Sequence, residues 1–282
     1  QSAMASSERI FTLLDTPVKT QSPTKPTPRP APAKGRIEFD GVWFAYVDDN
    51  YVLRDVSFVV EPGERIGIVG ATGAGKTTII NLLMRFYDVS RGRILVDGID
   101  VRELSLSDLR GLSSLVLQDA HLFAGSIAAN VRLGDQTITD AEIHAAITSV
   151  HAKPFIDQLP AGLASPVAER GATLSVGQKQ LLTFARALVY EPRVLVLDEA
   201  TSSVDTETEV LIQDALRVLM KGRTTIAIAH RLSTIQDMDR ILVLHKGQLR
   251  EAGTHQELLA RRGIYYKLYQ LQYQEQEIAA AG

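Results

Sequence analysis

Eight consecutive residues, Gly70-Ala71-Thr72-Gly73-Ala74-Gly75-Lys76-Thr77, carry the densest chemistry in the chain. They satisfy the pattern G-x-x-x-x-G-K-[ST] of a phosphate-binding loop at each fixed position. Glycines at 70, 73 and 75 remove Cβ atoms, so successive backbone N–H groups can curl around an anion. Lys76 adds a mobile point charge suited to the β- and γ-phosphates of a nucleotide, and the Thr77 hydroxyl suits Mg²⁺. A second group stands more than a hundred residues away. In Val194-Leu195-Val196-Leu197-Asp198-Glu199, four apolar residues end in two acids. A strand ending this way delivers both carboxylates to the sheet edge where α/β ligands bind. Asp198 there suits Mg²⁺ ligation through water. Glu199 suits accepting a proton from an attacking water.

These groups need elements that hold them. Arg65–Val69 reads as a short buried strand and residues Thr77–Met84 as a helix, so the glycine loop sits between strand and helix. The helix then starts under the anion nest with its positive end facing it. A glycine-rich turn that binds nothing does not call for Lys-Thr in that frame. Ahead of the loop, Arg36–Phe39, Val42–Tyr46 and Leu53–Val60 read as strands, separated by the turn signals Asp40-Gly41, Asp48-Asp49-Asn50 and Pro62-Gly63. After it come strands at Gly92–Val96 and Leu115–Leu117, the latter ending at Gln118. Residues 120–190 read mostly as helices, with a capping box at Thr139-Asp140-Ala141-Glu142 and a helix from Ser175 to Tyr190. Strand Val194–Leu197, helix Glu207–Met220, strands Thr224–Ala229 and Arg240–Leu244, a hairpin at Lys246-Gly247 and a helical region over Gln256–Gln276 follow. Strands alternating with helices predict an α/β fold on a parallel sheet, with antiparallel strands before it and a helical block inserted between Gln118 and Pro192.

Composition narrows the class. A chain of 282 residues with net charge −3 and 45% hydrophobic residues has an ordinary globular balance. It lacks the basic excess of a nucleic-acid binder. No cysteine is present, which excludes disulfides and thiolate metal sites and permits a reducing compartment. No stretch of 18 apolar residues marks a membrane span. The chain begins at Gln1 rather than Met without a signal-peptide pattern, and is expected to be a piece of a longer polypeptide. Residues 3–14 read as an amphipathic helix presenting Ile10, Phe11 and Leu14. Residues 15–34 then hold six of the eleven prolines, with Lys19, Lys25 and Arg29. This is an extended, polyproline-like linker, read as a solvated spacer rather than a membrane-attracted segment.

Taken together, the set resembles the nucleotide-binding domain of an ATP-binding-cassette (ABC) transporter, most closely of an exporter whose membrane and ATPase domains share one chain. The resemblance runs from about residue 36 to 272. Its most specific piece is Leu174-Ser175-Val176-Gly177-Gln178, similar to the family signature LSGGQ and opening a helix whose N-terminus can face a phosphate. The resemblance implies a P-loop NTPase fold with a RecA-like parallel core, an antiparallel β subdomain and an α-helical subdomain over about 120–190. The expected divisions are the end of a last membrane helix at 1–15, linker 16–35, nucleotide-binding domain 36–272 and tail 273–282.

The resemblance also implies roles. ATP is bound by Tyr46, stacked on adenine, and by loop residues Gly70, Ala71, Thr72, Gly73, Ala74, Gly75, Lys76, Thr77 and Thr78. Gln118 matches the glutamine that contacts Mg²⁺ and the attacking water, so the metal set is Thr77, Gln118 and Asp198. Ser175, Gly177 and Gln178 complete the ATP site of an opposite subunit. Asp205, within Ser202-Ser203-Val204-Asp205, links the two sites, and His230 contacts the γ-phosphate. The catalytic set is Glu199, His230, Lys76 and Gln118. The other five histidines read as surface or incidental. Ala168-Glu169-Arg170-Gly171 resembles the exporter segment that touches the intracellular loops of a membrane domain. The expected partners are that membrane domain and a second nucleotide-binding domain, with no nucleic acid. The expected location is the cytoplasmic face of the cell (inner) membrane. Val176 departs from the signature's glycine, which keeps both a homodimer and a heterodimer open, and beside the exporter a cassette that binds ATP but hardly hydrolyses it. A soluble ABC ATPase acting on DNA or ribosomes would show coiled coils, zinc motifs or tandem cassettes, none of which is present.

Overall fold

The computed structural model describes residues 2–18, 20–117, 119–198, 206–228 and 232–271. Helix α1 (Ser2–Leu14) precedes strands β1 (Ile37–Ala45), β2 (Tyr51–Val60) and β3 (Arg65–Val69), then helix α2 (Lys76–Leu83). Strands β4 (Arg91–Val96) and β5 (Ile99–Asp100), helix α3 (Leu106–Gly111) and strand β6 (Ser113–Val116) follow. The inserted block holds β7 (Gly125–Ser126), α4 (Ile127–Arg132), α5 (Asp140–Ser149), α6 (Lys153–Asp157), β8 (Pro166–Val167) and α7 (Val176–Val189). Strand β9 (Val194–Asp198), α8 (Thr206–Met220), β10 (Thr224–Ile228), α9 (Leu232–Gln236), β11 (Arg240–His245), β12 (Gln248–Gly253) and α10 (His255–Arg261) complete the series.

The main sheet runs β12-β11-β3-β10-β9-β6, parallel from β11 to β6 with β12 antiparallel at one edge. Its inner strands β11, β3, β10 and β9 are apolar on both sides, as a doubly covered parallel sheet requires. Alternation sends Ile66, Ile68, Val194, Val196, Ile226, Ile228, Leu242 and Leu244 into one core, with α2 and the antiparallel sheet β2-β1-β4-β5. The intervening Val69, Leu195, Leu197, Ala227, Ile241 and Val243 face a second core formed with α4, α5, α7 and α8. The expected fold class is therefore observed, with β3 and its loop inside the parallel sheet, between β11 and β10.

Several expectations need correction. Asp40-Gly41 does not end a strand. It is an irregularity within the single strand β1, whose register against both β2 and β4 shifts between Phe39 and Val42 as far as β2 is concerned, and between Asp40 and Trp43 against β4. The C-terminal helical region is broken, because Arg262 takes a left-handed conformation (φ 51°) and a second helix starts at residue 264. Glu251 caps that restart, accepting from Ile264 N at 2.6 Å and Tyr265 N at 3.1 Å. His255 is not incidental, since its Nδ1 lies 2.6 Å from the hydroxyl of buried Tyr265 and burial lowers its pKa. His151 pairs with Asp214 at 2.7 Å, both side chains at the surface.

The proline-rich segment is extended and largely exposed, yet it is no free spacer. Thr27 N donates to Glu103 O at 2.8 Å, Leu106 N donates to Ser22 Oγ at 3.0 Å, and the N–H groups of Lys34 and Arg36 both donate to Asp97 at 2.8 Å. It lies along the molecule as a strap. On α1, Ile10, Phe11 and Leu14 are exposed.

Candidate functional site

Strand β3 lies between β11 and β10, so the loop after Val69 rises from the centre of the sheet edge. Gly75 begins α2 with φ 104°, a left-handed conformation, and no side chain caps the helix. A Cβ at Gly75 would sit 2.6 Å from Leu53 Cδ2, and Leu53 is fully buried. Glycine at this position lets the loop close onto β2 while the helix N-terminus stays open to an anion. The loop is also supported from below, where Gly247 N in the β11–β12 turn donates to Ala74 O at 3.2 Å. Ala71, Thr72 and Gly73 are exposed, whereas Ala74 and Gly75 are buried.

Lys76 is buried, and its Nζ donates to Gly70 O at 2.8 Å and Ala71 O at 3.2 Å. Burial lowers its pKa, and the negative charge of Asp198 opposes that shift. An ammonium in this partly desolvated place attracts an anion more strongly than one in water does. Thr77 is exposed beside it, while Thr78 is buried.

Tyr46 follows β1 and reaches α2. Its hydroxyl lies 3.2 Å from Thr78 Oγ1 and accepts from Asn81 Nδ2 at 3.1 Å. Its ring is 44% exposed and stands edge-on to Phe44 at 4.8 Å and to Tyr87 at 5.1 Å. Asn81, Phe44 and Tyr87 thus join Tyr46 and Thr78 here, although no sequence motif marks them. The signal for Asn81 was its position three residues after Thr78, on the same helix face.

Asp198 ends β9, half-buried, opposite Ile228 of β10, which is itself opposite Ile68 of β3. It stands two strands from the loop's own strand, close enough for its charge to act on Lys76. Thr77 and Asp198 thus offer the hard oxygen donors, few in number, with which proteins hold Mg²⁺ beside phosphate. Among the described residues, no three His, Asp or Glu side chains converge as an all-protein metal cage. Gln118, Glu199, Asp205 and His230 lie outside the described residues. The strands that lead toward Gln118, Glu199 and His230 end at this same edge, β6 at Val116, β9 at Asp198 and β10 at Ile228.

The signature residues are built into a different element. Ser175 caps α7, accepting from Gln178 N at 3.2 Å, while Gln178 Oε1 accepts from Ser175 N at 3.0 Å. Gly177 is buried, whereas Val176 is 47% exposed at the first helical position. The side chain of Val176 therefore adds bulk to the outer surface of the helix N-terminus. Helix α7 packs into the second core, with α4, α5 and α8, and α2 into the first. One chain gathers the loop, Tyr46 and Asp198, and presents Ser175, Gly177 and Gln178 on a separate element.

Residues 53–202 match the family model described as ABC transporter. The chain is 51% identical over 268 residues to a fatty acid ABC transporter ATP-binding/permease protein of Mycobacterium tuberculosis, covering 95% of this chain and 42% of that protein. It is 48% identical to a probable multidrug resistance ABC transporter ATP-binding/permease protein of Bacillus subtilis, over 96% of this chain and 40% of that one. An ATP-dependent lipid A-core flippase of Syntrophus aciditrophicus is 44% identical, over 99% of this chain and 46% of the flippase. Among solved structures, a bacterial Atm1-family ABC exporter with ATP bound superposes with a TM-score of 0.85 at 42% identity, over 96% of this chain and 47% of that chain. The chain spans less than half the length of these relatives.

Proposed function

The chain belongs to the ABC transporter family, and from that premise we propose that it is the ATP-binding and ATP-hydrolysing domain of an exporter, driving transport through ATP-dependent pairing with a second such domain. The observation that carries this reading is the junction of three groups at one sheet edge. Lys76 is held by its own loop, Tyr46 is bonded to the helix that the loop opens, and Asp198 ends β9 at the same edge, two strands from β3. The separate placement of the Ser175–Gln178 helix cap supports the paired site, because a second copy or a related domain would have to supply that half.

In this reading adenine stacks on Tyr46, and the phosphates lie on the backbone of residues 70–78 at the start of α2. Thr77, Asp198 and Gln118 would hold Mg²⁺, which when bound would neutralise phosphate charge. Glu199 takes the proton of the attacking water, Lys76 stabilises negative charge on the transferring group, and His230 hydrogen-bonds it. Asp205 links the paired sites, and Ser175, Gly177 and Gln178 close on the partner's γ-phosphate. The residue 168–171 segment contacts the intracellular loops of a membrane domain in the same polypeptide, on the cytoplasmic face of the cell membrane. Its four relatives named above, as ATP-binding/permease proteins, a flippase and an exporter, support a membrane partner. Among the described residues no helix is long and apolar enough to cross a membrane.

ATP turnover by the chain joined to its membrane domain, compared with Glu199→Gln in the same background, tests the proposal. The variant is expected to lose about 10²- to 10⁴-fold in turnover while still binding ATP. Equal turnover would remove Glu199 from catalysis. Binding without turnover in both would favour a regulatory cassette.

A further inference from the structure

The phosphate-binding helix is held at its far end by a residue that the reaction above does not use. Arg110 on α3 donates from Nε to Met84 O at 3.3 Å and from Nη2 to Arg85 O at 3.2 Å. Its guanidinium also lies 5.1 Å from the centroid of the Phe86 ring. Met84 caps the C-terminus of α2, and Arg85 leaves the helix with φ 49°. Met84 O is one of the carbonyls a helix end leaves without intrahelical donors, and Arg85 O is the carbonyl just past it. The positive charge of Arg110 sits at the negative end of the dipole whose positive end opens on the loop. Arg85 does not compete for this role. It is buried, with Nε on Asp88 at 2.8 Å and Nη1 on the carbonyls of Val101 and Arg102, each at 3.3 Å.

The same short helix carries the strap. Leu106 N, at its start, donates to Ser22 Oγ, and Glu103 O just before it accepts from Thr27 N. Thr20 Oγ1 reaches Phe86 O at 3.4 Å, and Arg29 stands 3.9 Å from Asp108. Immediately after α3, Leu112 O accepts from Arg193 N and Val194 N, each at 3.0 Å, where β9 begins. Helix α3 therefore touches the strap, the rear of the phosphate-binding helix and the base of the strand that ends in Asp198.

We propose that Arg110 is a positioning residue for nucleotide phosphate, holding α2 from behind, and that strap residues 20–29 set its seat through α3. The inference rests on the nucleotide reading above. The leader helix α1 is in this way tied to the phosphate site by a covalent and hydrogen-bonded path of its own.

The test compares equilibrium affinities of the 282-residue chain for ATP and for adenosine, which lacks phosphate. Arg110→Met is expected to lower the ratio of ATP to adenosine affinity by about three- to tenfold, the effect of a cation at a partly buried helix terminus. Arg110→Lys keeps the charge but not the fork, and its ratio is expected to fall between the two. A merely structural role would weaken both ligands alike, and an unchanged ratio in Arg110→Met overturns the proposal. Should that variant not fold, a wild-type ratio in Arg110→Lys overturns it instead. The strap variant Ser22→Ala with Thr27→Pro, which removes the bonds to Leu106 N and Glu103 O, is expected to lower the ratio in the same direction by about twofold. No change there overturns the link from the strap. A wild-type chain that does not prefer ATP over adenosine would instead remove the nucleotide reading on which the inference stands.

Discussion

Tyr46 meets Thr78 hydroxyl to hydroxyl at 3.2 Å, joining the antiparallel sheet to the helix that the phosphate-binding loop opens. The two residues belong to different layers and lie 32 positions apart. Their contact sets the spacing between an exposed aromatic ring and the loop, which in the site proposed above is the distance from base to phosphates.

Replacing Tyr46 separates stacking from that tether. Tyr46→Ala is expected to weaken ATP binding by about 1–3 kcal/mol, the range for a base stacked on an aromatic. Tyr46→Phe keeps the ring and loses the bonds to Thr78 and Asn81, so it is expected to retain most of the affinity. Dissociation constants for ATP measured on both variants check the order. Equal losses would show that the hydroxyl, not the ring, matters.

Lys76→Ala removes the donor that Gly70 O and Ala71 O now share. Losing a charge-assisted bond is expected to cost about 1.5–3 kcal/mol of ATP affinity, at least tenfold, with little effect on adenosine. Parallel titrations with ATP and adenosine read this directly, and unchanged ATP affinity would exclude Lys76 from the site.

Gly247→Ala tests a support far from the loop in sequence. Gly247 has φ 76°, and a Cβ there would lie 2.1 Å from Val52 O, a backbone atom. Its N–H also holds Ala74 O. The substitution is expected to cost about 1–3 kcal/mol of stability, as for other residues forced into sparse backbone regions. A matching loss of ATP affinity is expected, since the loop beneath which Gly247 sits must shift. Thermal unfolding and ATP titration of the same preparation check both.

Acid sensitivity should show at Asp239. Its carboxylate accepts from Arg65 N at 2.9 Å, Nε at 3.0 Å and Nη2 at 2.6 Å, at the start of β3. The side-chain bonds from Arg65, with its backbone N–H and charge, hold the pKa of Asp239 below its ordinary value against the opposing effect of burial. A carboxyl with a depressed folded pKa adds stability above its unfolded pKa, near 3.9, and loses it as pH falls through the folded value. Asp239→Asn is therefore expected to narrow the gap to wild type below pH 4 and keep it constant above about pH 5. Urea midpoints at pH 3 and pH 7 measure the change, and a gap that does not narrow in acid would contradict the assignment.

Local signals in the chain proved legible where neighbours in sequence are also neighbours in space. The Thr139–Glu142 capping box forms as read, with Glu142 accepting from Thr139 N and Thr139 Oγ1 accepting from Glu142 N. Ser175 and Gln178 form the same reciprocal pair at α7, where the residue pattern marks only the start of a helix. The strand–loop–helix around Gly70–Thr77 and the continuous apolar strands also follow from short-range pattern, because period and turn chemistry are properties of a few adjacent residues. Asp40-Gly41 misled for the same reason, since a dipeptide that closes a turn can equally be absorbed within a paired strand.

By itself, then, the sequence determined the glycine loop, its lysine, the acids ending an apolar strand, the signature at the start of a helix and the α/β class. The tertiary structure decided what surrounds them. Asn81 and Thr78 on Tyr46, Gly247 under Ala74, Arg110 behind Met84 and the strap on α3 join residues from 26 to more than 170 positions apart. Most such partners are chosen when two faces of a twisted sheet are covered at once, by packing and hydrogen-bond satisfaction summed over the whole chain. No local residue pattern encodes those choices.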